Sequence, residues 1–153
     1  MNRNEFIKNC GYACLGLGTM GLLLEGCNSQ KMISAELVGD VIRIPLSDFE
    51  TRKKLHANDD IISKTSYIFA QHPKIKFPIC VYRLADNTYS ALYMRCSHQG
   101  AELTAFGDKL VCAAHGSEFD QYGKVQNAPA DTPLRTFPTT IEHQYLIISL
   151  KAI

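Results

Sequence analysis

Two short clusters, Cys96-Ser97-His98 and Cys112-Ala113-Ala114-His115, constrain this chain more than any other feature. Each pairs one thiol with one imidazole, and a glycine stands close behind each histidine, in His98-Gln99-Gly100 and His115-Gly116-Ser117. Thiolates are soft, electron-rich donors and imidazoles are neutral ones. A site built from two of each suits zinc or a mixed-ligand iron–sulfur cluster. In either case the fold must carry two loops to one place, with a sheet beneath them fixing the gap. The glycines let backbone approach sulfur closely, where a Cβ would obstruct it.

The rest of the body reads as strands. Val41-Ile42-Arg43-Ile44 leads to Pro45, which ends or edges a strand. Ser66–Ala70, Ile79–Leu84 and Tyr89–Met94 are short branched or aromatic runs. Asp86-Asn87-Thr88 is a hairpin turn between the last two, because Asn and Asp tolerate left-handed backbone. Those strands should therefore pair, and the second should deliver Cys96 into a loop. Leu110-Val111 leads into Cys112, and Tyr145–Leu150 closes the body. One short helix is conceivable between Leu46 and Asp60. The expected fold class is all-β, a small antiparallel β-sandwich with two ligand loops at hairpin tips. With 153 residues and 46% hydrophobic content the chain suits one domain with a real core plus a short appendage. A formal net charge of +1, with no basic run, gives no reason to expect nucleic acid as a partner.

The appendage reads as an address. Arg3 and Lys8 lie in a polar start, and Asn9–Leu24 carries no charge and is rich in Leu, Gly and Ala, which is the layout of a secretory signal. That stretch is short for a membrane span, which takes about 20 apolar residues. Leu24-Glu25-Gly26-Cys27 resembles a bacterial lipobox, with Cys27 as the lipidated residue and Glu25 off the pattern. Arg3-Asn4-Glu5-Phe6-Ile7-Lys8 resembles a twin-arginine export motif lacking its second arginine. The expected organisation is a signal or anchor over 1–26, a linker over 27–34 and the functional domain over 35–153. The expected location is the cell membrane or outer membrane, lipid-anchored and facing the periplasm.

From Tyr82 to Leu134 the order and spacing of the motifs resemble the Rieske domain, which holds a [2Fe–2S] cluster with two cysteines on one iron and two histidines on the other. The resemblance implies that Cys96 and Cys112 bind the inner iron and that His98 and His115 bind the outer one. It also implies one cluster per subunit, with Ser117 donating a hydrogen bond to a bridging sulfide. Gly116-Ser117-Glu118-Phe119-Asp120, Gly123-Lys124-Val125, Pro129-Ala130 and Pro133-Leu134 match the family's continuation, including the proline loop that shields the cluster. A zinc module is the competing reading of the ligands. Common zinc sites pair two cysteines and then two histidines, whereas here the two types interleave.

The departures from the family pattern carry information. High-potential members bear two further cysteines that brace the loops with a disulfide. Here those places are Ala101 and Ala114. Phe119 stands where such members have a tyrosine that donates to a ligating sulfur. Donors to sulfur stabilise the reduced cluster, so a midpoint in the middle of the Rieske range of roughly −150 to +300 mV is expected. The outer nitrogens of His98 and His115 can carry protons, which couples reduction to proton uptake. No nucleophile–base pair, phosphate loop or paired acid marks a substrate site. The implied role is single-electron transfer with a redox protein or a larger oxidoreductase subunit as partner. A carrier, the small subunit of an arsenite-oxidase-like enzyme, and the Rieske subunit of a quinol-oxidising cytochrome complex all fit, the last less well without the two cysteines. Cys80, in the apolar run Phe77–Tyr82, reads as a buried strand thiol, and His56, His72 and His143 read as surface histidines.

Overall fold

The computed structural model describes residues 31–56 and 59–151. The signal-like segment, Cys27 and residues 27–30 of the expected linker lie outside the described residues. In chain order the strands are β1 (Met32–Ser34), β2 (Glu36–Val38), β3 (Val41–Pro45), β4 (Glu50–His56), β5 (Asp59–Lys64), β6 (Tyr67–Gln71), β7 (Ile79–Arg83) and β8 (Tyr89–Tyr93). They continue with β9 (Thr104–Phe106), β10 (Lys109–Val111), β11 (Glu118–Asp120), β12 (Val125–Asn127), β13 (Thr136–Phe137), β14 (Thr139–Glu142) and β15 (Tyr145–Ser149). Among the described residues the only helical pieces are 3-10 turns at Leu46–Phe49 and Ala85–Asn87. The all-β expectation holds.

The strands form a five-stranded sheet (β1-β6-β7-β8-β13), two four-stranded sheets (β12-β11-β10-β9 and β14-β15-β3-β2) and a separate β4–β5 ribbon. The five-stranded sheet is the middle layer, and the run Ile79-Cys80-Val81-Tyr82 shows why. Successive side chains of a strand point to opposite faces. Ile79 and Val81 pack with Ile42, Ile44, Leu146 and Ile148 of one outer sheet. Cys80 and Tyr82 pack with Leu110 and Phe119 of the other. A strand covered on both faces has no polar side to show, so its sequence is continuously apolar instead of alternating.

The predicted β7–β8 hairpin is present, with Ile79 opposite Tyr93 and Arg83 opposite Tyr89. Its turn places Asn87 in the left-handed region at φ 57°. Pro45 is the last residue of β3, an inner strand, where its missing N–H does least harm. The short helix conceivable between Leu46 and Asp60 is realised only as the 3-10 turn Leu46–Phe49. That turn is followed by the β4–β5 ribbon, which pairs Glu50 with Lys64 and Lys53 with Ile61. β-Branched Thr51, Ile61 and Ile62 favour extended backbone there. Met32–Ser34, inside the expected linker, forms β1 and runs parallel to β6.

Candidate metal centre

The two ligand segments fold into the same six-residue loop. In Cys96–Ala101 the Cys96 N–H donates to the Ala101 carbonyl at 2.8 Å, and the Gly100 N–H donates back to Cys96 at 2.9 Å. In Cys112–Ser117 the Cys112 N–H donates to Ser117 at 2.8 Å, and the Gly116 N–H donates to Cys112 at 2.9 Å. The fifth residue is glycine both times because it sits at φ 77° in one loop and 80° in the other, a region that side chains rarely adopt. At Gly100 a Cβ would also meet the Arg95 guanidinium at 2.9 Å.

Their settings differ. The second loop is a true hairpin tip, since β10 and β11 pair directly across it. The first crosses from β8 in the middle sheet to β9 in the outer sheet, and only an isolated bridge between Arg95 and Glu102 closes its base. The expectation of two hairpin tips is met by one loop alone. The gap between the loops is therefore set by how two sheets pack.

Both thiols point inward. Cys96 and Cys112 are each 1% exposed and share a core with Leu110, Phe119, Ala130 and Leu134. The imidazoles face outward and meet, with ring centroids 5.1 Å apart and planes at 83°. His115 is exposed, and His98 is half-buried with its Nδ1 enclosed and without a hydrogen-bond partner. A buried ring nitrogen left bare is costly. Coordination through its lone pair removes that cost.

This layout fits a binuclear cluster: two thiolates inside for one iron, two imidazoles outside for the other. It fits a single ion less well. Among the described residues no three His, Cys, Asp or Glu side chains gather around one point, as ligands of a tetrahedral zinc do.

Ser117 is fully buried, and apart from the Tyr82 hydroxyl and the thiols it is the polar side chain in the core of the described residues. Its Oγ accepts the Ala130 N–H at 3.0 Å, which leaves its own proton free to donate. Phe119, also fully buried, shares the core of the two thiols. Asp120 shapes the following turn by accepting from the N–H groups of Tyr122 and Lys124 at 2.8 and 2.9 Å.

Cys80 is free and fully buried, as expected. Burial pushes its thiol well above the ordinary range, with the neighbouring Tyr82 hydroxyl pulling weakly the other way. Burial first, and then the Cys80 charge, likewise raise Tyr82. Burial favours its protonated form, whereas a metal ligand must be a thiolate. His72 is half-buried at the surface, accepting the Lys74 N–H on Nδ1 at 3.1 Å, and His143 is exposed in the β14–β15 turn. The side chain of His56 lies outside the described residues. Three residues passed over in the sequence border the site: Arg95 over Gly100, Ser97 bonded to Thr132, and Asn127 bonded to Gly116. No motif marks them, because each partner is brought in by the packing of another segment.

The sequence profile of the Rieske [2Fe-2S] domain matches residues 51–138, more than half of the chain. Among solved structures, the chain is similar to the cyanobacterial plasma membrane Rieske protein PetC3 from Synechocystis PCC 6803. That match has 28% identity and a TM-score of 0.49, and covers 55% of this chain and 86% of the other. A ferredoxin of Sphingomonas yanoikuyae B1 matches at 27% identity and a TM-score of 0.44, over 55% of this chain and 84% of its own. The structure of a complex of reduced oxygenase and oxidised ferredoxin in carbazole 1,9a-dioxygenase matches at 22% identity and a TM-score of 0.45, over 56% and 82%. Among curated protein sequences nothing matches.

Proposed function

The chain belongs to the Rieske [2Fe-2S] domain family, and from that premise we propose that it passes single electrons through a cluster held by Cys96, Cys112, His98 and His115. The observation that carries this reading is the inside–outside split of the donors: thiols 1% exposed in the core, imidazoles in contact at the surface. When bound, a Rieske cluster takes up and returns one electron.

The protein's own groups then have distinct tasks. Cys96 and Cys112, both buried, would hold one iron away from water and from partners. His98 and His115 would hold the other iron, and the exposed His115 ring would offer the electron a route to a partner. Ser117, whose Oγ accepts the Ala130 N–H, would have its hydroxyl proton available to the cluster.

The working place is the extracytoplasmic face of a bacterial membrane, tethered through a lipid on Cys27 or through the uncharged N-terminal segment. There the protein acts as a carrier or as the small subunit of an oxidoreductase complex. The apolar signal-like run and the lipobox-like Leu24–Cys27 support this placement. Two bacterial lipid chains or more give firm anchoring where one gives only marginal binding.

The test is spectroscopic. The purified protein should be coloured, hold two irons and two sulfides, and show an electron paramagnetic resonance signal after reduction. A colourless protein with one equivalent of zinc refutes the reading. For the tether, Cys27→Ser should move a lipid-anchored protein from the membrane to the soluble fraction, and unchanged membrane retention would assign the tether to the uncharged N-terminal segment instead.

A further inference from the structure

The ligand loops and the point where the chain enters the domain lie toward opposite ends of the sheets. β8 runs from Tyr89 toward Cys96, and β10 runs toward Cys112. Cys96 is seven positions beyond Tyr89, so at about 3.3 Å per residue the first loop stands roughly 20 Å from the far end. Lys31 lies toward that far end. Its carbonyl accepts the Phe69 N–H at 3.0 Å, and its ammonium donates to the Asp48 carbonyl. The adjoining Phe49 carbonyl accepts the Thr65 N–H at 2.8 Å, just before β6 begins at Tyr67. β1 then runs parallel to β6, toward the ligand loops.

The far end carries a second feature. Among the described residues three phenylalanine or tyrosine side chains are exposed: Phe106 at 72%, Tyr122 at 51% and Tyr145 at 36%. Phe106 pairs with Lys109 at the β9–β10 turn, and Tyr122 lies in the β11–β12 turn, both away from Cys112. Gly107, Asp108 and Gln121 of these turns line one cavity with Ser66, Tyr67 and Arg83, at the foot of β6 and β7. Tyr145 pairs with Pro45, where the chain enters the Leu46–Phe49 turn.

We propose that this far end rests on the lipid surface, with Phe106, Tyr122 and Tyr145 as its contacts, and that the cluster end faces the aqueous phase and a water-borne redox partner. The proposal rests on the reading that Cys27 carries the lipid. From Cys27 to Lys31 is four residues, a reach of at most about 14 Å. Met32 lies level with Leu92 through Phe69 and Cys80, which puts Lys31 five residues, or roughly 16 Å, below Cys96. The tether is too short to turn the domain over and bring the loops to the lipid. Aromatic rings, and tyrosine with its polar tip above all, settle where lipid meets water. The exposed charges of this end are mixed, Asp108 and Glu142 against Lys64 and Lys124, so the rings and not headgroup charge make the contact.

The experiment uses the full-length, lipidated, cluster-loaded protein in phosphatidylcholine vesicles, with a nitroxide label on Lys124→Cys at the lipid end or on Asp131→Cys beside the ligand loops. Electron paramagnetic resonance compares relaxation of each label by oxygen, which concentrates in lipid, and by a water-soluble nickel complex. Oxygen should dominate at position 124 and nickel at position 131. With Phe106→Ser and Tyr122→Ser added, the protein should stay on the vesicles through its lipid and lose that difference. A quinol confined to the bilayer should fail to reduce the protein, whereas a water-soluble cytochrome should exchange electrons with it as fast as in detergent. Equal relaxation at the two positions, oxygen dominating at position 131, a difference that survives the double substitution, or rapid reduction by the confined quinol would overturn the orientation. A chain without lipid on Cys27 that leaves the vesicles would instead refute the tether on which the orientation rests.

Discussion

Replacing Ser117 by alanine removes two functions from one fully buried atom, and the structure predicts a separate readout for each. As an acceptor, Ser117 Oγ satisfies the N–H of Ala130, which is 4% exposed. Losing it leaves that N–H buried and unpaired, at a cost of about 1–3 kcal/mol in folding stability. As a donor, the hydroxyl has its proton free for the cluster. A hydrogen bond to a charged group is stronger than a neutral one by roughly 1–1.5 kcal/mol. The reduced cluster is the more negative state and gains that difference. A tenfold change is about 59 mV for one electron and about 1.4 kcal/mol, so each kcal/mol is worth about 43 mV. Ser117→Ala should therefore lower the midpoint by roughly 40–65 mV by the same conversion. Protein-film voltammetry at pH 7 measures the shift, and urea melts measure the stability. A midpoint within about 10 mV of the parent, alongside the loss of stability, would refute the donor role, since that is well below the shift the conversion gives.

Other expectations follow from the same core and surface. Phe119→Tyr places a hydroxyl in the core shared by the two ligand thiols and should raise the midpoint by tens of millivolts, of the order worked out above. A lower or unchanged value in voltammetry would show that the new group misses sulfur. Cys80 is held protonated by burial, whereas the unfolded chain releases that proton above its ordinary value of about 8.5. Its contribution is flat below that pH, and stability falls above it by up to about 1.4 kcal/mol per pH unit. Urea melts between pH 8 and 10.5 should show a shallower decline for Cys80→Val, and parallel curves would contradict the linkage. The exposed tip of the three loops carries Asp131, and the exposed Arg95 guanidinium over Gly100 offsets its charge. Electron self-exchange between copies, read from nuclear magnetic resonance lines of half-reduced samples, should therefore change less than about twofold across the usual salt range. A tenfold change would mean that docking uses a charged face elsewhere.

The parts legible in the sequence were those written within a few residues. The donor set is local to each loop, so Cys96-x-His98 and Cys112-x-x-His115 could be read directly. The β7–β8 hairpin was equally visible, because Asn87 supplies the left-handed turn and the flanking runs are branched and aromatic. The ribbon after Leu46 was harder. Mixed charges there suit a solvated helix or a solvated strand equally, and pairing between β4 and β5 decided it. Both loops were expected at hairpin tips, yet the first spans two sheets. Nothing near Cys96 records which strand Thr104 will join.

By itself the sequence determined the cofactor class, because the type and order of donors follow from chain order alone and survive any folding. It also determined the backbone of each loop, because Gly100 and Gly116 sit where only a glycine turns easily. Tertiary structure decided how far apart the loops stand, which imidazole is enclosed and what ties the loops together. Ser97 and Thr132 are 35 positions apart. Such a contact depends on how two sheets pack on either side of a third segment, and no local preference encodes that distance.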